Sequence, residues 1–365
     1  MNSDFNLSEY MNNGIENVVR GVLKASLKNP KETAFVLKYV LSSKEAKKKR
    51  ERFEKKGESV PAFLISSITS SCNLFCKGCY ARKFNSCGEG VQKQQLSTKR
   101  WESIFMEAKE IGISFILLAG GEPLMRKDII EKAAKVKEIM FPIFTNGTML
   151  KEEYIKLFHE NRNLVPILSI EGDVEQTDGR RGEGTYEVLM NVMDKLKEKG
   201  ILYGVSATVT TENFMTVSSK AFFDKLYNKG CRALVFVEYV PVIKETWKLA
   251  PTDNERKKLE CEQQKLRKQY EDAIFLSFPG DEKYSGGCLA AGRGFFHINV
   301  DGSAEPCPFS PYSDTNLKEC TLREALKSPL FTKLNETGML IGEHAGGCLL
   351  FEKEKEVKEL ISSGR

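Results

Sequence analysis

Residues 68–80 read Ile-Thr-Ser-Ser-Cys72-Asn-Leu-Phe-Cys76-Lys-Gly-Cys79-Tyr80, and this stretch decides how the chain is read. It directly follows Phe63–Ser70, a short run of strand character. Three thiols separated by three and two residues, on a loop after a strand, can wrap one iron–sulfur cube. Three thiolates hold three irons, and the fourth iron stays open to a chelating cofactor. A structural zinc ion would ordinarily take four ligands. Here the nearest further thiol is Cys87, and no histidine is close.

Outward from that loop the pattern repeats. Strand-like runs stand at Phe63–Ser70, Ser114–Ala119, Phe141–Thr145, Val165–Ile170, Tyr203–Thr210 and Ala233–Val240, with amphipathic helical windows between them. Trp101, Ile104, Phe105, Ala108 and Ile111 form one apolar helix face, and Leu189, Val192, Met193 and Leu196 form another. Six strand–helix units imply parallel strands with right-handed crossovers, closing wholly or partly into a barrel. A polar helix at Asp253–Tyr270 and a last run at Ala273–Ser277 end the region. The fold class expected is α/β: a partial (β/α)6 TIM-like barrel over residues 61–279. A helical, basic extension over 1–60 precedes it, and a small Gly-, Pro- and Cys-rich module over 280–365 follows.

Cys72–Cys76–Cys79 after the first strand of such a pattern resembles the radical S-adenosylmethionine (radical SAM) superfamily. Other strand ends agree. Gly120-Gly121-Glu122-Pro123 is similar to that family's GGE segment, where glycines admit the ligand closely and the carboxylate is expected to pair with the ammonium of SAM. Asn146 in Thr145-Asn146-Gly147, and Ser169 and Glu171 in Ser169-Ile170-Glu171-Gly172, match segments that line the SAM site. Arg181 resembles the arginine that meets the SAM carboxylate, and Ser206 and Thr208 match SAM-contacting positions on the fifth strand. One position departs: Gly78 stands where the family carries an aromatic residue, and Tyr80 is expected to shield the cluster or the adenine instead.

The resemblance implies that a [4Fe–4S] cluster on Cys72, Cys76 and Cys79 reductively cleaves SAM to give a 5′-deoxyadenosyl radical, which abstracts hydrogen from a substrate. An electron donor such as flavodoxin or ferredoxin is implied as a partner. In the C-terminal module, Cys288-x13-Gly302-x4-Cys307 resembles the auxiliary-cluster domains of SPASM or twitch type, with Asn299-Val-Asp-Gly302 as a hairpin turn. The longer cysteine run of a full SPASM domain is missing. One auxiliary [4Fe–4S] cluster is therefore expected on Cys288, Cys307 and Cys348, with Cys320 as fourth ligand or bystander; a zinc site and plain buried thiols are the alternatives. Glu238 and Tyr239, ending the sixth run, are expected at the substrate site, and for Glu238 a structural ion pair competes with that role. Cys87 is open between redox thiol and bystander, and His344 between ligand and proton relay. Enzymes of the resembling kind act on peptides, tetrapyrroles and other small molecules. Helices without strands in residues 1–60 weigh against a peptide-leader domain.

Composition bounds the remaining readings. With 365 residues, 41% hydrophobic and 29% charged, the chain can bury a large core. Its longest apolar runs are far short of the ~20 residues of a membrane span. Its first residues are polar, and ten cysteines fit the reducing cytoplasm, where thiols serve as ligands rather than disulfides. The net charge of +5 is carried entirely by Lys44–Lys56, so no general basic surface for nucleic acid is expected. That run is read as a solvated helix face or as a peripheral contact with an anionic membrane surface. The competing function is a non-catalytic zinc or iron–sulfur nucleic-acid binder using the 44–56 helix. It accounts for the charge but not for the strand-end segments.

Overall fold

Seven parallel strands follow one another along the chain, each separated from the next by helix. The computed structural model describes residues 7–27, 29–88, 94–341 and 347–362. The strands are β1 (Phe63–Thr69), β2 (Phe115–Gly120), β3 (Phe141–Thr145), β4 (Leu164–Ser169), β5 (Gly204–Val209), β6 (Ala233–Glu238) and β7 (Ile274–Phe278). Each of the six expected runs is present with its ends moved by at most two residues, and the last run is β7. Two short strands, β8 (His297–Ile298) and β9 (Ala304–Glu305), extend the sheet beyond β1, in the order β7-β6-β5-β4-β3-β2-β1-β8-β9. β8 runs parallel to β1 and antiparallel to β9, so the C-terminal module shares the barrel's sheet.

Alternation along each strand produces two layers. Leu64 and Ile68, Ile116 and Leu118, Val205 and Val209, and Leu234 and Phe236 are buried under the helices. The helix Thr98–Ile111 supplies Trp101, Ile104, Phe105 and Ala108 to that layer, all fully buried. Ser97 caps its start, and Gly112 in the left-handed region ends it, where a β-carbon would stand 2.6 Å from the Ala46 carbonyl.

The alternate, inward positions behave differently. Leu117, Phe144, Ser169, Thr208, Val235 and Val237 are only partly covered, and Leu276 is 40% exposed. The strands thus surround an accessible lumen. Its lower end is closed by two helices, α1 (Leu7–Ser26) and α2 (Pro30–Glu54). Their Ile15, Val19, Val22, Val36 and Tyr39 pack on Phe115, Met140, Val165 and Ile167.

The basic run lies on α2 and the residues just after it, and is not uniformly solvated. Arg50 is buried and donates to the Gly112 carbonyl (2.5 Å), Ser114 Oγ (3.1 Å) and Asn12 Oδ1 (2.7 Å). Lys47 pairs with Glu16, while Lys44, Lys48, Arg52, Lys55 and Lys56 are exposed. Among the described residues no helix is long and apolar enough to cross a membrane.

Candidate active site at the C-terminal ends of the strands

The thiol loop leaves β1 and is fastened to its neighbours by backbone bonds. Gly121 N–H donates to Thr69 O (2.7 Å), Glu122 N–H to Ser71 O (2.8 Å), and Lys77 N–H to Arg180 O (2.9 Å). Gly121 is irreplaceable on steric grounds, since a β-carbon there would lie 2.0 Å from Ser71 O. Cys72, Cys76 and Cys79 are half-buried, within electrostatic reach of one another and of Arg181. Arg181 Nη1 lies 3.9 Å from Cys76 Sγ. Cys87, buried, donates to Cys72 and holds that thiol below its usual range.

The donor set fits a cube. Each thiolate of a cube binds a different iron, so the thiols need to surround a volume rather than meet at a point. Among the described residues no Cys/His/Asp/Glu group is gathered as a single ion would require.

Glu122 takes an unexpected part. Its carboxylate accepts from Thr145 Oγ1 (2.7 Å), Asn146 N (2.8 Å) and Leu124 N (3.1 Å), and the residue is 1% exposed. It ties the end of β2 to the end of β3, and burial pushes its carboxyl up to about 7. The residue expected to pair with the SAM ammonium thus also braces two strand ends, with both oxygens accepting bonds inside the fold. Pro123 continues the turn into a short 3-10 segment, and the Asn146 side chain donates to Asn73 of the thiol loop (3.0 Å).

Glu171 organises the opposite wall. One oxygen accepts from Arg180 Nη1 (2.5 Å) and from Arg181 Nε (2.8 Å) and Nη2, and the other from Thr208 N–H (2.9 Å). Burial opposes ionisation there, but the two guanidiniums outweigh it and hold Glu171 below the usual carboxylate range. Arg181, expected to meet the SAM carboxylate, is spent on Glu171 in this structure. Arg180, which sequence reasoning passed over, also donates to Thr208 Oγ1 (2.7 Å). Ser169 and Ser206 stand with their hydroxyls 3.3 Å apart on the lumen wall. Between the thiol loop and the helix Val174–Arg181 opens a cleft of about 400 Å³, lined by Asn73, Phe75, Lys77, Arg180 and Arg181.

Three of the expected site residues meet neighbours distant in sequence. Tyr80 is packed on Phe309, with ring centroids 4.9 Å apart, and has Cys79 and Cys307 among its neighbours. Glu238 accepts from Arg256 Nε (2.8 Å) and from the Gly347 N–H (2.9 Å), so it takes the structural ion-pair role and steadies the turn before Cys348. Tyr239, 3% exposed, donates to Thr246 Oγ1 (2.8 Å), and its ring fills the space beside Gly78, where a β-carbon would meet the phenol oxygen at 2.5 Å. The aromatic group missing at position 78 is thus replaced in space by one from the end of β6.

In the C-terminal module the hairpin turns at Gly302 as expected, with Gly302 N–H donating to Asn299 O (2.9 Å). Cys307 and Cys348 are in thiol–thiol contact, and Cys288 is within reach of Cys348; burial raises the Cys288 and Cys307 thiols. Cys320 is not with them. It donates to Asn316 O (3.3 Å) and its neighbours are Glu324, Arg100 and Glu107. His344 lies outside the described residues. His297 is a satisfied buried histidine, bonded to Ser67 Oγ (2.8 Å) and Glu305 Oε2 (2.7 Å).

Comparisons with known proteins meet this geometry. Residues 66–216 match the radical SAM superfamily. The chain is 29% identical over 213 residues to the Fe-coproporphyrin III synthase of Methanosarcina barkeri, covering 57% of this chain and 51% of that protein. It is 25% identical over 313 residues to the AdoMet-dependent heme synthase of the same organism, covering 78% and 88%. The crystal structure of Streptococcus suis SuiB bound to precursor peptide SuiA superposes with a TM-score of 0.66 at 18% identity, over 90% of this chain and 80% of that one. That likeness shows the fold. The matched span contains the thiol loop and the segments that carry Glu122, Glu171 and Arg181, so the similarity to the radical SAM superfamily falls on the candidate site.

Proposed function

We propose that this chain is a radical SAM enzyme with its first cluster on Cys72, Cys76 and Cys79, a second cluster in the C-terminal module, and a carboxylate-bearing tetrapyrrole as substrate. When bound, the cluster and SAM supply a 5′-deoxyadenosyl radical able to take a hydrogen atom from a nearby carbon. The chain's own residues bind and orient. Glu122 holds the ends of β2 and β3 at fixed separation, and Glu171 holds the two arginines beside the thiol loop. Arg180 and Lys77 present positive charge to carboxylates entering the cleft. Leu117, Phe144, Val237 and Leu276 give the lumen apolar lining.

The observation that carries the substrate class is the pairing of a lumen partly lined by apolar side chains with a cleft whose lining holds Lys77, Arg180 and Arg181 beside the single carboxylate of Asp178. It suits a flat apolar ring bearing carboxylates, and two relatives named as coproporphyrin and heme synthases support it. A flavodoxin- or ferredoxin-type donor would meet the face around Phe75, which is 66% exposed. The reducing cytoplasm suits ten free thiols.

The test is anaerobic reconstitution of the full chain with SAM, dithionite and either iron coproporphyrin III or an unrelated peptide. Release of 5′-deoxyadenosine should accelerate with the tetrapyrrole alone. An equal rate with and without it would overturn the substrate assignment, and no 5′-deoxyadenosine at all would overturn the chemistry.

A further inference from the structure

Glu282 is the one carboxylate among the described residues that is buried with an oxygen lacking any hydrogen-bond partner. It lies on the 3-10 segment Gly280–Ser285, is 4% exposed, and its Oε1 is unpartnered. Its backbone is pinned: Glu282 N–H donates to Pro279 O (2.7 Å), and Ser285 Oγ donates to Glu282 O (2.6 Å). The side chain faces the thiol of Cys288, with the Leu289 N–H and the Arg293 guanidinium nearby. Arg293 is itself committed to the carbonyls of Cys288 (2.6 Å) and Leu340 (2.9 Å).

A buried acceptor without a partner costs about 1–3 kcal/mol, and more when charged. Beside a cluster of thiols the cost rises, since thiolates repel a carboxylate. A metal centre reverses that sign. Cys288, Cys307 and Cys348 supply three ligands for a four-iron cube, and Cys320 stands apart with Arg100 and Glu107. One iron is left without a thiolate, and one buried carboxylate oxygen is left without a partner, next to the first of the three thiols. Carboxylate oxygen is an acceptable ligand for iron.

We propose that Glu282 is the fourth ligand of the auxiliary cluster, making it a three-cysteine, one-glutamate site. This rests on the reading that Cys288, Cys307 and Cys348 hold such a cluster, and goes beyond it by closing the site. The auxiliary iron is then not free to bind substrate.

The experiment uses the full chain with Cys72, Cys76 and Cys79 replaced by Ala, so that only the auxiliary cluster reports. Glu282→Gln keeps the shape but is a poor ligand, and Glu282→Cys restores an anionic one. Without iron, Glu282→Gln should be at least as stable as its parent, because it removes a buried carboxylate. With iron, it should lose about one iron in four, change the electron paramagnetic resonance spectrum and fall below its parent in stability, whereas Glu282→Cys should keep about four irons with an altered spectrum. Unchanged iron content and spectrum in Glu282→Gln would overturn the proposal, as would an unchanged spectrum in Glu282→Cys should Glu282→Gln not fold. The underlying reading fails separately: if the Cys-to-Ala parent binds no cluster, the auxiliary site itself is wrong.

Discussion

Substituting Gly121 by Ala tests whether the Gly-Gly-Glu-Pro segment shapes the thiol loop. The added β-carbon would stand 2.0 Å from Ser71 O, 2.6 Å from Ser71 C and 3.2 Å from Cys72 N, all backbone atoms that no rotamer change can move. Restoring ordinary contact takes the carbonyl from 2.0 Å to 3.4 Å, a retreat of about 1.4 Å by the residue preceding Cys72. The bonds Gly121 N–H to Thr69 O and Glu122 N–H to Ser71 O oppose that retreat. Overpacking of this kind costs about 1–3 kcal/mol, and each broken bond about 0.5–1.5 kcal/mol. Together they predict a loss of about 2–6 kcal/mol in anaerobic denaturant unfolding, and a displacement of that size costs roughly 10²-fold in rate. Gly179→Ala is the control, since nothing lies within 4 Å of its would-be β-carbon. The assay compares unfolding midpoint, iron content and SAM binding in both variants. If Gly121→Ala matches wild type in all three, the close approach is not a feature of the protein.

Glu122 is raised by burial from the ordinary carboxylate range to about 7, so its stabilising contribution is complete below about pH 4.5 and is lost as pH rises through about 7. The metal-free chain should therefore melt lower at pH 8 than at pH 6, by at most roughly 3 kcal/mol from this group, and Glu122→Gln should flatten the profile. Glu171→Ala leaves Arg180 and Arg181 beside each other without a counter-charge and should cost about 3–5 kcal/mol; a loss under about 1 kcal/mol would show that the arginines find other partners. Cys320→Ala should keep about eight irons and both cluster spectra, because its thiol is bonded to Asn316 O and not to the other three; a loss of iron would restore it as a ligand. Tyr239→Ala should loosen the loop at Gly78 and weaken SAM binding while leaving the auxiliary spectrum unchanged, which separate titrations of the two signals would detect.

The spacing Cys72–Cys76–Cys79 and the sixfold strand–helix alternation were enough to determine chemistry and architecture, because both are local. Thiol spacing on a loop is a property of consecutive residues, and period-two and period-3.6 patterns are written into each segment before it meets another. The same locality gave the hairpin at Gly302. What the tertiary structure decided was the partner of each charged or aromatic side chain at the strand ends. Glu122 and Glu171 looked alike in sequence, yet one braces β2 to β3 and the other binds two arginines, because their neighbours lie up to 37 residues away. Glu238 and Tyr239 read as substrate groups until Gly347 and Gly78 were brought against them across 109 and more residues. The pairing of β8 with β1, and the burial of Glu282 beside Cys288 with an unpartnered oxygen, likewise depend on packing. No one-dimensional pattern reports which buried acceptor lacks a donor, since that is a property of everything folded around it.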